Sequence, residues 1–274
     1  MLSELLSQVR AQAPIIHNIT NYVTVNDCAN ILLAVGASPI MADEPEEAED
    51  ISALCAGLVV NIGTLNARTI PAMLRAGETM RALQRPIVLD PVGAGASRLR
   101  TETAHMLIER LRPTIIRGNM SEIKTLATGS AGSRGVDSDF SDEPGAQTLD
   151  AAARLVADFS RRTGAVVCVT GATDIVTDGE TTYFVHNGHP MMRAVTGAGC
   201  QLSALTAAFA AANPAEPLRA ALAAVCAMGL CGETAHARLT ELDGNATYRN
   251  YIIDAIYHLT PEALERGARY EMQA

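Results

Sequence analysis

The chain has 274 residues, 48% of them hydrophobic and 19% charged, which excludes a disordered or fibrous protein and provides enough apolar mass for a full core. Asp and Glu number 30 against 21 Lys and Arg, a formal net charge of −9, so nucleic acid and other polyanions are not expected partners. With 4% aromatics and no Trp there is no platform for stacking bases, but a single phosphate stays open to it, because backbone N–H groups, one Arg and a metal ion suffice to hold one.

Taken in chain order, the first distinctive stretch is His17-Asn-Ile-Thr-Asn21-Tyr-Val-Thr-Val-Asn26, with Ser38-Pro-Ile-Met41 after it. It is dense in polar side chains and reads as a capped loop or as the lip of a small-molecule pocket. Helical period covers 21–35 and 46–55. Four apolar runs then alternate with helical segments. Strands are predicted at 58–63, 86–92, 114–119 and 165–171, and helices at 66–84, 101–111, 120–127 and 149–163. Residues 129–147, rich in Gly and acidic groups, form the one long loop and read as a surface insertion or a functional flap. DIVTDG and the strand at 181–188 meet at Gly179-Glu180 and predict a hairpin. Helices are expected at 200–212, 216–239 and 246–258. Strand–helix alternation predicts an α/β protein with a mostly parallel central sheet covered by helices on both faces, built as a single domain over 1–274.

The six cysteines (28, 55, 168, 200, 226 and 231) include no C-x-x-C pair, and most lie in apolar runs. They read as reduced core thiols of a cytoplasmic protein. The N-terminal MLSELLSQVRAQAP lacks the continuous apolar stretch of a signal peptide. The uncharged stretch 194–215 reaches membrane-spanning length, but its Ala, Gly, Gln, Ser and Thr content predicts a loop and a buried helix, so no membrane partner is expected.

Neither a P-loop nor a G-x-G-x-x-G signature is present, and His186 and His189 flank a turn. Four places carry chemistry-bearing residues. Val195-Thr-Gly-Ala-Gly-Cys200 opens a helix, so it is either an anion hole of N–H groups or a plain glycine turn. Cys200 on that first turn is either a thiol whose pKa the helix N-terminus pulls down, against the push of a bound polyphosphate, or a packing residue. Asp90-Pro-Val-Gly-Ala-Gly95 ends a strand and suits either Mg²⁺ or a turn cap. Arg117-Gly-Asn-Met-Ser-Glu122 offers either a phosphate contact and a metal ligand or a capping box of Asn119 and Glu122. The fourth place is the His17–Met41 region.

In order along the chain, HNITNYV, ASPIMA, NIGTL, LDPVGAG, RGNMSEI, RGVD, VTG, VHNGH and VTGAGC resemble the hydroxyethylthiazole kinases of thiamine salvage, within the ribokinase-like kinases. The resemblance runs from about Pro14 to the helix near 212. It implies a three-layer ribokinase-like fold and transfer of the γ-phosphoryl of ATP to the hydroxyl of 5-(2-hydroxyethyl)-4-methylthiazole. Carried over residue by residue, the N–H groups of Gly197, Ala198, Gly199 and Cys200 would cradle the phosphoryl group. Arg117 and Thr170 would contact ATP, and Asp90 and Glu122 would hold Mg²⁺. Asn21, Met41 and Gly197 would border the thiazole. Cys200 would be the base, where most ribokinase-like kinases carry Asp. The resemblance also implies a homotrimer with active sites between subunits. Gly171-Ala-Thr-Asp174 departs from the pattern, in which Glu often follows the Gly. The rival readings are a hydroxymethylpyrimidine kinase, an ATP-dependent dehydratase acting on hydrated NAD(P)H, and a non-catalytic binding protein; Cys200 and the HNITN block argue against the first two.

Overall fold

A computed structural model describes residues 1–129 and 146–273. Apart from its ends, the loop expected over 129–147, with the RGVD block inside it, lies outside the described residues.

The strands are β1 (Ile15–Ile19), β2 (Ser38–Met41), β3 (Gly57–Asn61), β4 (Ile87–Asp90), β5 (Ile115–Asn119), β6 (Val166–Thr170), β7 (Asp174–Thr177), β8 (Thr182–Val185) and β9 (Tyr270–Met272). Among the described residues they form one nine-stranded sheet in the order β2-β1-β3-β4-β5-β6-β7-β8-β9. All pairs from β2 to β6 are parallel, and β7, β8 and β9 run antiparallel at one edge. The helices are α1 (Leu2–Gln12), α2 (Val25–Val35), α3 (Ala48–Leu54), α4 (Thr69–Ala82), α5 (Arg98–Leu111), α6 (Met120–Thr128), α7 (Ala146–Thr163), α8 (Ala198–Ala212), α9 (Pro217–Ala237), α10 (Asn245–His258) and α11 (Pro261–Gly267).

Strand side chains alternate between two apolar layers, as the period of two requires. Ile16, Val59, Val88, Ile115 and Val166 join the layer built with α1, α2, α8, α9 and α10. Ile19, Leu58, Val60, Ile87, Leu89, Ile116 and Val167 join the layer built with α4, α5, α6 and α7. Both faces of the sheet are thus covered, which is why β3 to β6 read as unbroken apolar runs. Helix α8 rides close to the sheet because its contact residues are small: a Cβ added at Gly57 would stand 3.2 Å from the Ala211 methyl. The uncharged stretch 194–215 therefore becomes a glycine bend and this buried helix. Helix α9 also has the length and composition of a membrane span, but 72% of that window is buried inside the protein.

The structure adds elements that the sequence reading lacks. Helix α1 buries Leu2, Leu5, Leu6 and Val9 at helical spacing. The polar HNI stretch is strand, not loop: His17 and Asn18 are buried in β1. His17 Nε2 donates to the Ala42 carbonyl (2.8 Å) and Nδ1 accepts from Ser52 Oγ (2.9 Å), and burial pushes its pKa down, so it is a neutral packing residue. Helix α2 starts at Val25 rather than 21, because Asn21 Oδ1 takes the N–H and hydroxyl of Thr24 (both 3.1 Å) and holds a turn there.

Candidate active site

Strands β3, β4, β5 and β6 end together, and in a parallel sheet with helices on both faces that end is where ligands bind. Register sets Asn61 beside Asp90 and Asn119 beside Thr170. From the helical layer, the N-terminus of α8 points at the same place. Gly197 caps it at φ 84°, a conformation that an L side chain resists, and Gly199 follows within the first turn.

Asp90 is the hub. Its Oδ2 accepts from Asn61 Nδ2 (2.8 Å) and Ser203 Oγ (2.8 Å) and faces Arg117 Nη1 at 3.5 Å. The side chain is fully buried, and its Oδ1 has no partner. Burial pushes the Asp90 pKa up, opposed by Arg117 and the two hydrogen bonds. The side chain is therefore not the turn cap that its position also allowed. Arg117 is 8% exposed and donates through Nη2 to Thr170 Oγ1 (2.9 Å). It lies against the α8 N-terminus: a Cβ at Gly199 would stand 2.5 Å from both Nη1 and Nη2.

Glu122 does two jobs. It closes a capping box with Asn119, each side chain accepting from the other's N–H at 2.9 Å. Its Oε1 also accepts from Gly93 N–H (2.8 Å), which ties the glycine loop after Asp90 to α6. Burial first, and the Asp90 charge second, raise its pKa.

Cys200 Sγ receives two amide donors, Asn21 Nδ2 at 3.2 Å and Asn61 Nδ2 at 3.3 Å. The pull of the helix N-terminus on its pKa does not prevail. Burial and the nearby Asp90 carboxylate push the thiol up, and they outweigh the hydrogen bonds and Arg117. At neutral pH Sγ thus carries its proton.

Asn21, Asp90, Arg117, Thr170, Gly199 and Cys200 therefore form one connected network, and Glu122 joins it through the loop after Asp90. Met41 stands further out, at the end of edge strand β2 beside Asn18, and packs against the same apolar layer as Cys200. Ala198 is the first residue of α8. Asn61 and Ser203 belong to the network, and the sequence reading did not single them out. Asn61 had a signal, since it ends the apolar run LVVN one register step from Asp90. Ser203 lies one turn after Cys200, on the sheet-facing side of α8.

A buried carboxylate and a half-buried one, an arginine and a helix opened by glycines, set at the ends of a mostly parallel sheet, define a ribokinase-like kinase of small molecules. Solved structures of that class match: pyridoxal kinase from Staphylococcus aureus superposes with a TM-score of 0.60 at 15% identity over 94% of this chain and 98% of that one, a likeness of fold. Hydroxyethylthiazole kinase from Pyrococcus horikoshii superposes with a TM-score of 0.88 at 35% identity, covering 100% of this chain and 99% of that one. In sequence, hydroxyethylthiazole kinase from Clostridium acetobutylicum is 55% identical over 99% of both chains, and that from Ruminiclostridium cellulolyticum 44% over 98% and 96%. The hydroxyethylthiazole kinase family model matches residues 6–262. The chain belongs to the hydroxyethylthiazole kinase family.

Proposed function

We propose that the chain transfers the γ-phosphoryl group of ATP to the hydroxyl of 5-(2-hydroxyethyl)-4-methylthiazole, giving the phosphate ester and ADP in thiamine salvage. The observation that carries this reading is the Arg117 guanidinium packed on Gly199 at the opening of α8, where cation and helix N-terminus face one point. Phosphoryl transfer passes through a loose transition state with charge spread over the peripheral oxygens, so catalysis is mainly positioning and charge stabilisation. The N–H groups of Gly197, Ala198, Gly199 and Cys200 receive that charge. Arg117, aimed by Thr170, holds the polyphosphate of ATP. Asn21, Met41 and Gly197 border the thiazole.

Asn21 and Asn61 hold Sγ of Cys200 where the substrate hydroxyl must approach. A protonated thiol is a weak base, and a loose transition state asks little of one. Cys200, which keeps its own proton, therefore acts by position, and the hydroxyl proton passes to an oxygen of the transferred phosphoryl group. The donor set fits Mg²⁺: Asp90 offers a buried oxygen without a protein partner, and Glu122 offers a second carboxylate one loop away. Hard oxygen ligands of this kind hold Mg²⁺ alongside phosphates and water. When bound, the ion neutralises charge on the transferring phosphates.

The same reading takes the chain as one domain that works in the cytoplasm as a homotrimer, with each active site between two subunits; light scattering at working concentration tests the assembly. A coupled ADP-release assay with ATP, Mg²⁺ and either the thiazole alcohol or hydroxymethylpyrimidine tests the activity. The thiazole alcohol is expected to turn over strongly in preference. Calorimetric binding of the alcohol with no ADP released over hours would make the chain a binding protein instead.

A further inference from the structure

Helix α5 contributes a residue that the site description leaves out. Arg100, in its first turn, sends its guanidinium back across the ends of β3 and β4. Nη1 donates to the carbonyls of Ile62 (2.9 Å) and Val92 (2.7 Å), and Nη2 donates to the carbonyl of Gly63 (2.7 Å). These are charge-assisted bonds from a rigid fork, stronger than neutral ones.

Two of those carbonyls belong to peptide units whose N–H groups serve the site. A trans peptide is planar, and its C=O and N–H point in opposite directions. In the unit joining Ile62 and Gly63, the oxygen is held by Arg100 while the Gly63 N–H donates to Asn61 Oδ1 at 2.9 Å. In the unit joining Val92 and Gly93, the oxygen is again held by Arg100 while the Gly93 N–H donates to Glu122 Oε1 at 2.8 Å. Fixing the oxygens fixes where the hydrogens aim. Asn61 in turn holds both Asp90 Oδ2 and Cys200 Sγ. Glu122 is the second carboxylate of the site.

The loop residue under the fork is a glycine for the same reason. Gly93 has φ 74°, and a Cβ there would meet Arg100 Cδ at 3.1 Å and Nη1 at 3.2 Å. There is a second effect. Carbonyls left pointing into a polyphosphate site would repel its charge, and Arg100 holds those of Ile62 and Val92 on the side opposite their site-facing N–H groups.

We infer that Arg100 is a positioning residue for phosphoryl transfer: one guanidinium orients two peptide units that set Asn61, and through it Asp90 and Cys200, on one side of the site and Glu122 on the other. The inference rests on the kinase reading above for its catalytic consequence, though not for its geometry. It assigns Arg100 no contact with either substrate.

The test uses the full-length protein as Arg100→Met, Arg100→Lys and Arg100→Ala. Residue-resolved amide hydrogen exchange is read without substrate, and steady-state rates with ATP, Mg²⁺ and the thiazole alcohol. In the Met and Lys variants the Gly63 and Gly93 amides are expected to lose protection by at least about tenfold, while the amides of α9 are unchanged. Lys retains the charge but not the fork, so it does not restore them. Because misplacement by about 1 Å can cost about 10²-fold in rate, kcat is expected to fall about 10- to 100-fold, with KM for the alcohol within about threefold of wild type. Ethylguanidinium added to Arg100→Ala is expected to recover about tenfold of the lost rate. Unchanged protection at Gly63 and Gly93, a uniform loss of protection along the chain in both the Met and Lys variants, or no response to ethylguanidinium would each overturn the inference. An inactive wild type would instead sink the kinase reading and leave the exchange result standing.

Discussion

Replacing Gly199 by alanine puts a methyl group where the Arg117 guanidinium already sits. The new Cβ would stand 2.5 Å from both Nη1 and Nη2 and 2.8 Å from Cζ, whereas ordinary contact begins at 3.4 Å. The guanidinium must retreat by about 0.9 Å, the gap between 2.5 Å and 3.4 Å. It has little room, because Arg117 springs from the middle of β5, is 8% exposed, and is held by Thr170 at 2.9 Å with Asp90 at 3.5 Å. On stability two effects oppose. Alanine is better than glycine inside a helix by about 0.5–1 kcal/mol. Disturbing a buried ion pair costs up to about 3–5 kcal/mol when the pair is fully broken. A partial displacement should leave a net loss of about 1–2 kcal/mol, or several degrees in Tm for a chain of this size. On catalysis the shift moves the cation proposed to hold the polyphosphate by most of an ångström, which corresponds to about 10²-fold in kcat, or about 2.7 kcal/mol of barrier. KM for ATP should rise more than KM for the alcohol. Steady-state ADP release with thermal unfolding in parallel reads both effects. A Gly199→Ala enzyme with kcat and ATP KM within threefold of wild type would refute the placement of Arg117 on the transferring phosphates.

Three more outcomes are expected. Cys200→Asp should retain or raise kcat, since the amides of Asn21 and Asn61 that donate to Sγ would donate to a carboxylate; a fall to background contradicts this. Asp90→Asn keeps an acceptor for Ser203 and Asn61 but leaves the buried Arg117 guanidinium without its counter-charge, so Tm should fall while kcat falls by about 10²-fold or more; near-wild-type turnover would remove Asp90 from the mechanism. Asp174 is pushed by burial from 3.8 to about 7, against the pull of the Gly171 N–H at 2.9 Å. Because the folded chain holds this proton more tightly than the unfolded chain, the contribution of Asp174 to stability declines between about pH 4 and 7. The Tm advantage of Asp174→Asn should therefore grow from pH 5 to pH 8 and then level off, and an equal difference at both pH values would contradict it.

The central strands were legible because β3 to β6 are buried on both faces and open on apolar residues that stop at Asn61, Asp90, Arg117 and Thr170. Strand β1 was hidden by the same rule: His17 and Asn18 are polar yet buried, and the partners of His17, Ser52 and Ala42, are brought near only by the folded chain. Strand β2 carries Pro39 at the sheet edge, and β9 is three exposed residues, so neither presents an apolar run. Asp90, Arg117, Glu122 and Cys200 could be picked out as polar residues where apolar runs stop. Asn61 also stands where an apolar run stops, but its role, like those of Ser203 and Arg100, depends on strand register, helix phase and the direction of two peptide units. The net ionisation of Cys200 stayed open in the sequence because a helix N-terminus is visible in a string of letters, while burial beside Asp90 is not.

The most direct measurement follows phosphorus by ³¹P NMR in a reaction of the wild-type chain with ATP, Mg²⁺ and the thiazole alcohol. The γ-phosphorus signal of ATP is expected to disappear in step with one new phosphate-monoester signal, at one-to-one stoichiometry. Inorganic phosphate in place of the ester, or an unchanged γ signal with the alcohol bound, would contradict phosphoryl transfer at the opening of α8.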